Sequence, residues 1–322
     1  MKIKKLFSRV GFIFWSYFIR AFAIIFACAF PLLIFTGCTK LSKNGDKTTL
    51  VTSCYPVHII LMNLVKGVEN IEIKRMSESH SGCLHNFQLK PEDLKNIERS
   101  SAFVINGAGM ETFLDKVVNE NPKINIIDSS LGIETIHECE SHDHECDHDN
   151  CHHEINPHIW LSPKNYICQI RNISEGLKKL DPENSKKYDE NAETYVKKII
   201  NLKNKMHSEL DGIPKKDIIT FHNAFPYFAE EFGLNIVGVI NNEAGEEPST
   251  KEILEIVDTI NKKSICALFT EPQYSCGITD TIAKETGVKV YTLDPAVTGE
   301  LNEDSYIATM EQNSKILRSA LI

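Results

Sequence analysis

An α/β fold of two lobes, each a mostly parallel sheet covered by helices and joined by one long rigid helix, is what the 322 residues predict. Three observations carry it. Short apolar runs of strand character alternate with helical segments across residues 50–128, and such alternation buries a parallel sheet between helices. The same rhythm returns after residue 216. Between these regions apolar residues recur at Tyr188, Ala192, Tyr195, Ile199, Leu202 and Met206, spacings of four, three, four, three and four that draw one stripe along a single helix. The chain is also too long for one core of usual size. Its 42% hydrophobic and 25% charged residues exclude collagen, coiled coil and wholesale disorder.

The first element is an export segment. Residues 1–37 hold five cations (Lys2, Lys4, Lys5, Arg9, Arg20) and no acid, then the apolar stretch Ala21 to Phe35 and the small pair Thr36-Gly37. These are the three regions of a secretory signal peptide, and the apolar run after Arg20 is short for a permanent membrane span. Ile34-Phe35-Thr36-Gly37-Cys38 resembles a bacterial lipobox, which makes Cys38 the acylated N-terminus of the mature protein. Residues 38–47 then form a polar, lipid-anchored linker. With a formal net charge of −9, carried entirely by the remainder at −14, the exported body is a poor nucleic-acid binder and tolerates cations nearby.

In the N-terminal lobe, residues 48–165, the predicted strands are Leu50 to Cys54, Ile71 to Met76, Ala102 to Asn106 and Ile124 to Asp128. Helical segments include Val57 to Lys66, Glu111 to Asn119 and one opened by Pro91-Glu92-Asp93. Gly107 and Gly109 form G-x-G between strand and helix, but the third glycine of a nucleotide fingerprint is missing, and a structural role is the better reading. A helical connector, residues 166–213, follows. Asp181-Pro182-Glu183 offers an N-cap, a first-turn proline and a first-turn acid for its long helix, which runs to Leu210. So stiff a joint predicts small domain movements. The C-terminal lobe, residues 214–322, has strands Asp217 to Phe221, Asn235 to Ile240, Ile265 to Phe269 and Val288 to Leu293. Its helices are Ala224 to Phe232, Ser249 to Lys262, Ile278 to Glu285 and Asp304 to Leu321.

Ten cysteines do not make a disulfide framework here. Cys28 is removed, Cys38 lipidated, and Cys139, Cys146 and Cys151 share one acidic loop, leaving an odd five. Cys266 and Cys276 form a conceivable pair, against which stands a small buried apolar role for Cys266.

Residues 137–154, HECESHDHECDHDNCHHE, contain six histidines, three cysteines and seven acids in eighteen positions. With no apolar face the segment is expected to be a mobile, solvated loop. Imidazole with thiolate favours Zn²⁺ over Mg²⁺ or Ca²⁺, so His137, His142, His144, His148, His152 and His153 are auxiliary metal ligands rather than a merely solvating run. His144-Glu145-Cys146-Asp147-His148 satisfies the H-E-x-x-H pattern, but it lacks the apolar positions that would anchor the required helix.

Isolated histidines at element boundaries are more telling. His85 lies before the helix opened by Pro91; His158 lies in Asn156-Pro157-His158-Ile159-Trp160-Leu161-Ser162-Pro163; His222 follows the strand Asp217 to Phe221, at the carboxyl end where open α/β sheets bind ligands. Three imidazoles leave a fourth tetrahedral position on zinc to fill. His58 and His207 have no partner suggested by spacing, and His80, before the His85 loop, is read as solvated.

These residues stand in a recognisable pattern. Gly82 to Asp93, Asn106 to Glu111, Asn156 to Pro163, Phe221-His222-Asn223-Ala224-Phe225, Phe269-Thr270-Glu271-Pro272-Gln273 and Leu293-Asp294-Pro295 resemble the TroA-like solute-binding proteins of zinc and manganese ABC transporters, over roughly residues 48–320. The resemblance implies that His85, His158 and His222 bind the metal between the lobes and that a long helix joins them. Histidine at the third position, and a His-rich loop before the second, resemble the zinc branch. Asp294 matches the aspartate that manganese members supply as fourth ligand, zinc members using another carboxylate or a water, and Glu271, at the end of the strand Ile265 to Phe269, is the second candidate. Asn156 departs from the family's usual aspartate, and Asn86 often has an acidic counterpart; both changes bear on the support around the ligands, which commonly tunes affinity tenfold or more.

The expectation is a monomeric, anchored receptor that captures Zn²⁺ and delivers it to an ABC transporter permease without chemistry on a substrate, binding more weakly as acid protonates the imidazoles. Three alternatives remain. One is a manganese (Mn²⁺) receptor of the same family, for which three imidazoles are a softer set than expected. Another is an extracytoplasmic zinc hydrolase, which needs a general base beside the metal. The third is an adhesin or metal-storage protein in which the loop alone functions.

Overall fold

The computed structural model describes residues 47–76, 87, 89–139, 153–241, 248–274 and 277–322. The signal segment, Cys38, His85 and the loop histidines His142, His144, His148 and His152 lie outside these residues, as do Asn86, His80 and Cys276. The order is β1 (Thr48–Thr52), α1 (Tyr55–Leu64), β2 (Ile71–Arg75), α2 (Pro91–Glu98), β3 (Ala102–Ile105), α3 (Leu114–Glu120), β4 (Ile126–Asp128), β5 (His137–Cys139), β6 (His153–Ile155), α4 (Pro163–Leu180) and α5 (Ser185–Leu210). Then come β7 (Asp217–His222), α6 (Pro226–Phe232), β8 (Asn235–Asn241), α7 (Thr250–Lys263), β9 (Ala267–Thr270), α8 (Gly277–Thr286), β10 (Lys289–Thr292) and α9 (Ser305–Leu321).

Two four-stranded sheets result, ordered β2-β1-β3-β4 and β10-β9-β7-β8, and every pairing within them is parallel. Counted from its own first strand, each lobe has the order 2-1-3-4. The strand order therefore reverses between β1 and β3 in one lobe and between β7 and β9 in the other, and the carboxyl ends beside such a reversal form a crevice. The inner strands β3 and β9 are buried at all four positions, as strands covered on both faces must be.

The long helix α5 has 26 residues and is about 39 Å long at 1.5 Å per residue. Its stripe Tyr188, Ala192, Tyr195, Ile199, Leu202 and Met206 is buried, together with Val196 and Leu210. It bonds to both lobes. Asn191 Nδ2 donates to the carbonyls of Leu64 and Lys66 at the end of α1, while Lys198 meets Asp304 at 2.7 Å and Lys205 meets Glu311 at 2.9 Å beside and on α9. The expected N-cap differs. Asp181 precedes a 3₁₀ turn, Pro182–Asn184, and its carboxylate accepts from the Tyr188 hydroxyl and Asn184 Nδ2 rather than from the helix N–H groups, so α5 starts at Ser185.

Aromatic rings also tie the halves together. Tyr166 of α4 and Tyr306 of α9 stack at 3.7 Å, Tyr306 donates to the Trp160 carbonyl, and Trp160 Nε1 donates to the Pro295 carbonyl. Gly176 lets α4 lie against the edge strand β4: a Cβ there would sit 2.5 Å from Ile127.

Two further expectations are corrected. The segment 137–154 is not loop throughout, because its ends pair as an antiparallel hairpin stem with His137 opposite Ile155 and Cys139 opposite His153. Backbone pairing supplies there the order that the missing apolar face does not. The helix expected from Glu111 starts at Leu114, since the Glu111 side chain is taken by the preceding turn, where its two oxygens accept the N–H groups of Asn106 and Gly107. Among the described cysteines, Cys54, Cys168 and Cys266 are free thiols, and Cys266 donates to the Ala320 carbonyl. No helix among the described residues is long and apolar enough to cross a membrane.

Candidate metal centre

His222 ends β7 and Glu271 directly follows β9, so the strand reversal of the second sheet brings the two together. Both are buried, with Glu271 Oε1 lying 3.5 Å from His222 Nδ1. At that separation the contact is electrostatic rather than a hydrogen bond, and among the described residues Oε1 has no hydrogen-bond partner. An orphaned oxygen on a buried carboxylate costs several kcal/mol (about 1–3 or more) unless a cation or donor compensates it.

From the first lobe, β6 runs into Asn156-Pro157 and a 3₁₀ turn, Ile159–Leu161, after which the Ser162 hydroxyl caps α4 through Asn165 N–H at 3.1 Å. Ser162 also donates to the Glu231 carboxylate. His158 at the head of this turn is 1% exposed. Its neighbour Asn156 determines which ring nitrogen carries the proton. Asn156 Nδ2 faces the Asn223 carbonyl at 2.8 Å, and a carbonyl can only accept, so the amide oxygen must point the other way. That oxygen accepts from His158 Nδ1 and from the His158 main-chain N–H, both at 3.0 Å. The Nδ1 proton is thereby committed, and Nε2 carries the lone pair a metal needs.

The His158 and His222 rings stand 5.0 Å apart, centroid to centroid, at 77°. Two imidazoles sharing a tetrahedral ion, with nitrogens about 2.0–2.1 Å from it, have centroids about 5 Å apart, so the observed separation fits a shared cation. Asp294 lies two residues beyond β10. Its Oδ1 accepts from Ala296 N–H, and Asn313 brackets its main chain on both sides. Burial holds its carboxyl above the usual range, and the Glu271 charge pushes the same way. A buried carboxylate beside one of two adjacent imidazoles, with a half-buried carboxylate close enough to feel its charge, is a donor set suited to a divalent cation.

Among the described residues, no group of three or more His, Cys, Asp and Glu side chains is placed to hold a metal ion. His222 adjoins both His158 and Glu271, Asp294 is near enough to Glu271 to feel its charge, and His85 is outside the described residues. His137 is exposed at the hairpin stem, 3.2 Å from the Thr135 hydroxyl, and His153 is placed there by its backbone. The two other described histidines have structural partners: Thr52 Oγ1 lies 3.0 Å from His58 Nδ1, and Asp211 Oδ1 lies 2.9 Å from His207 Nδ1.

The turn between β3 and α3 borders this region. Gly107, Ala108 and Gly109 all have positive φ, and a Cβ on Gly107 would sit 2.1 Å from Asp128 Oδ1. Three consecutive positive φ values make this a tight turn, the structural role expected of G-x-G. Asn106, at its start, donates through Nδ2 to the Pro157 carbonyl and accepts from Gln169, so the first sheet braces the residue before His158. Sequence reasoning missed Glu111, Gln169 and Tyr227 as supports of this region: Glu111 binds the main chain of its own turn, Gln169 donates to the Asn106 and Ser129 side chains, and Tyr227 bonds main-chain atoms of remote segments.

A family model described as ZnuA, zinc-uptake complex component A, periplasmic, matches residues 50–320. The zinc-binding lipoprotein AdcA of Streptococcus pneumoniae is 26% identical over 294 residues, 89% of this chain and 58% of AdcA, so the chain spans little more than half of that relative. The high-affinity zinc uptake system protein ZnuA of Bacillus subtilis is 27% identical over 315 residues, covering 92% of this chain and 97% of that protein. A crystal structure of ZnuA superposes with a TM-score of 0.72 at 27% identity, covering 86% of this chain and all of the other.

Proposed function

This chain belongs to the ZnuA family of zinc-uptake complex components, and from that premise we propose that it captures Zn²⁺ outside the cytoplasmic membrane and hands it to an ABC transporter permease, acting as a receptor rather than an enzyme. One observation supports this above the others: a buried carboxylate oxygen without a hydrogen bond, on Glu271, beside His222 and near a His158 whose tautomer presents a lone pair on Nε2. The ligands in this reading are His85, His158 and His222, with Asp294, Glu271 or water fourth. His85 enters on its motif, Gly82 to Asp93. The imidazole-rich set favours zinc over manganese.

The lipidated residue is Cys38, and residues 38–47 hold the body near the permease after the signal peptide, residues 1–37, is cleaved. The lobes are residues 48–165 and 214–322 with the connector 166–213, and the receptor works as a monomer. The stretch 137–154 adds weaker zinc sites through His137, His142, His144, His148, His152 and His153.

Zinc titration calorimetry at neutral pH tests the reading. The chain is expected to bind one ion tightly, and the triple alanine variant of His85, His158 and His222 to lose more than about 100-fold in affinity, beyond what changes around the ligands produce. A triple variant that retains one tight site sinks the proposal. The fourth ligand is whichever of Glu271→Gln and Asp294→Asn costs the larger factor.

A further inference from the structure

We propose that Tyr227 is a positioning residue for the metal centre, tying the stem of the hairpin to His158 through Asn156. The proposal rests on the zinc-receptor reading of that centre. Tyr227 is the second residue of α6, five positions beyond His222, and its ring is buried. Its hydroxyl accepts the Ile136 N–H at 2.9 Å. An N–H can only donate, so the phenol proton goes to its other neighbour, the Asn156 carbonyl at 2.8 Å. Asn156 N–H returns to the Ile136 carbonyl at 2.9 Å. These three bonds close a ring at the base of β5 and β6, with one member on a helix of the second lobe.

Asn156 thus has two duties. Its main chain belongs to the hairpin stem and is tethered by Tyr227; its side chain fixes the His158 proton and grips the Asn223 carbonyl, next to His222. Displacement of the stem would carry the amide with it and release the imidazole from a single tautomer. The phenol holds the stem against such displacement, so the hairpin and the metal centre share one anchor. A phenylalanine at 227 would keep the ring and remove the hydroxyl that makes these two hydrogen bonds, which separates the role from core packing.

The test uses the exported chain from residue 39 in metal-free form, with imidazole nitrogens labelled for long-range ¹H–¹⁵N spectra. Wild type is expected to show His158 protonated at Nδ1 alone. Tyr227→Phe is expected to show mixed tautomers at His158 and about tenfold weaker zinc binding, the lower end of the range for groups that orient ligands. Asn156→Leu, which removes the acceptor directly, should give the same spectral change more fully. A Tyr227→Phe protein with the wild-type tautomer pattern and wild-type zinc affinity, even with a lowered melting temperature, overturns the proposal. The spectra need no metal: a wild type that binds no zinc would defeat the receptor reading, while a tautomer change in Tyr227→Phe would still uphold the strap.

Discussion

Asn156 shows how much one side chain decides. A carboxylate at this position would still accept the His158 proton, but it would set an oxygen against the Asn223 carbonyl, which Nδ2 now meets at 2.8 Å. The amide therefore serves two partners that a carboxylate cannot serve together. Two other buried groups have opposite effects on stability. Burial pushes the Glu111 carboxyl up to about 7 against the lowering effect of its backbone donors, and burial, helped by Arg75, holds the His58 imidazole down to about 4. The folded state thus keeps the Glu111 proton where the unfolded chain has lost it, so this group's stabilisation is complete below about pH 4.5 and fades as pH rises towards 7. His58 is neutral when folded where the unfolded chain is charged, so its contribution is complete above about pH 6.5 and fades as pH falls towards 4. Each amounts to about 3 kcal/mol, and across pH 4.5–6.5 they oppose each other. Urea unfolding at several pH values should find Glu111→Gln losing stability on acidification in this window and His58→Leu losing it on alkalinisation. Parallel profiles for the two variants would contradict the assignment.

Among the elements, α5 does most to set the architecture. Its spacing of four and three was plain in the residues because a surface helix must turn one face to the core every 3.6 residues. The hairpin was not plain: a stem of three residues per strand, rich in His and acid, carries no alternation, and only the pairing of residues far apart in the chain reveals it. Because α5 joins the helices of both sheets, trimming Ile199, which is wholly buried, should cost about 2–5 kcal/mol and move one cooperative transition. Two separate transitions in the denaturation of Ile199→Ala would show that the lobes unfold independently and that α5 is only a tether.

The whole molecule repeats one strand order around that helix and directs the carboxyl ends beside the second sheet's reversal, with the braced turn of the first, at the segment carrying His158. Stacking of Tyr166 on Tyr306 and the ion pairs of α5 resist rotation of one lobe against the other. X-ray scattering from the chain beginning at residue 47 should therefore give superimposable curves with and without zinc, and a clear contraction on zinc addition would refute so stiff a joint. Local order was determined by the sequence alone: alternating strands and helices, the α5 stripe, the G-x-G turn and the histidines at element ends all follow from neighbours within a few residues, where sterics and apolar periodicity act. What only the tertiary structure decided is which polar groups meet: Glu271 against His222, Asn156 between His158 and Asn223, Tyr227 against Ile136. Those contacts join residues up to 91 positions apart, and their energies depend on burial and hydrogen-bond direction, which exist only once the chain has closed on itself.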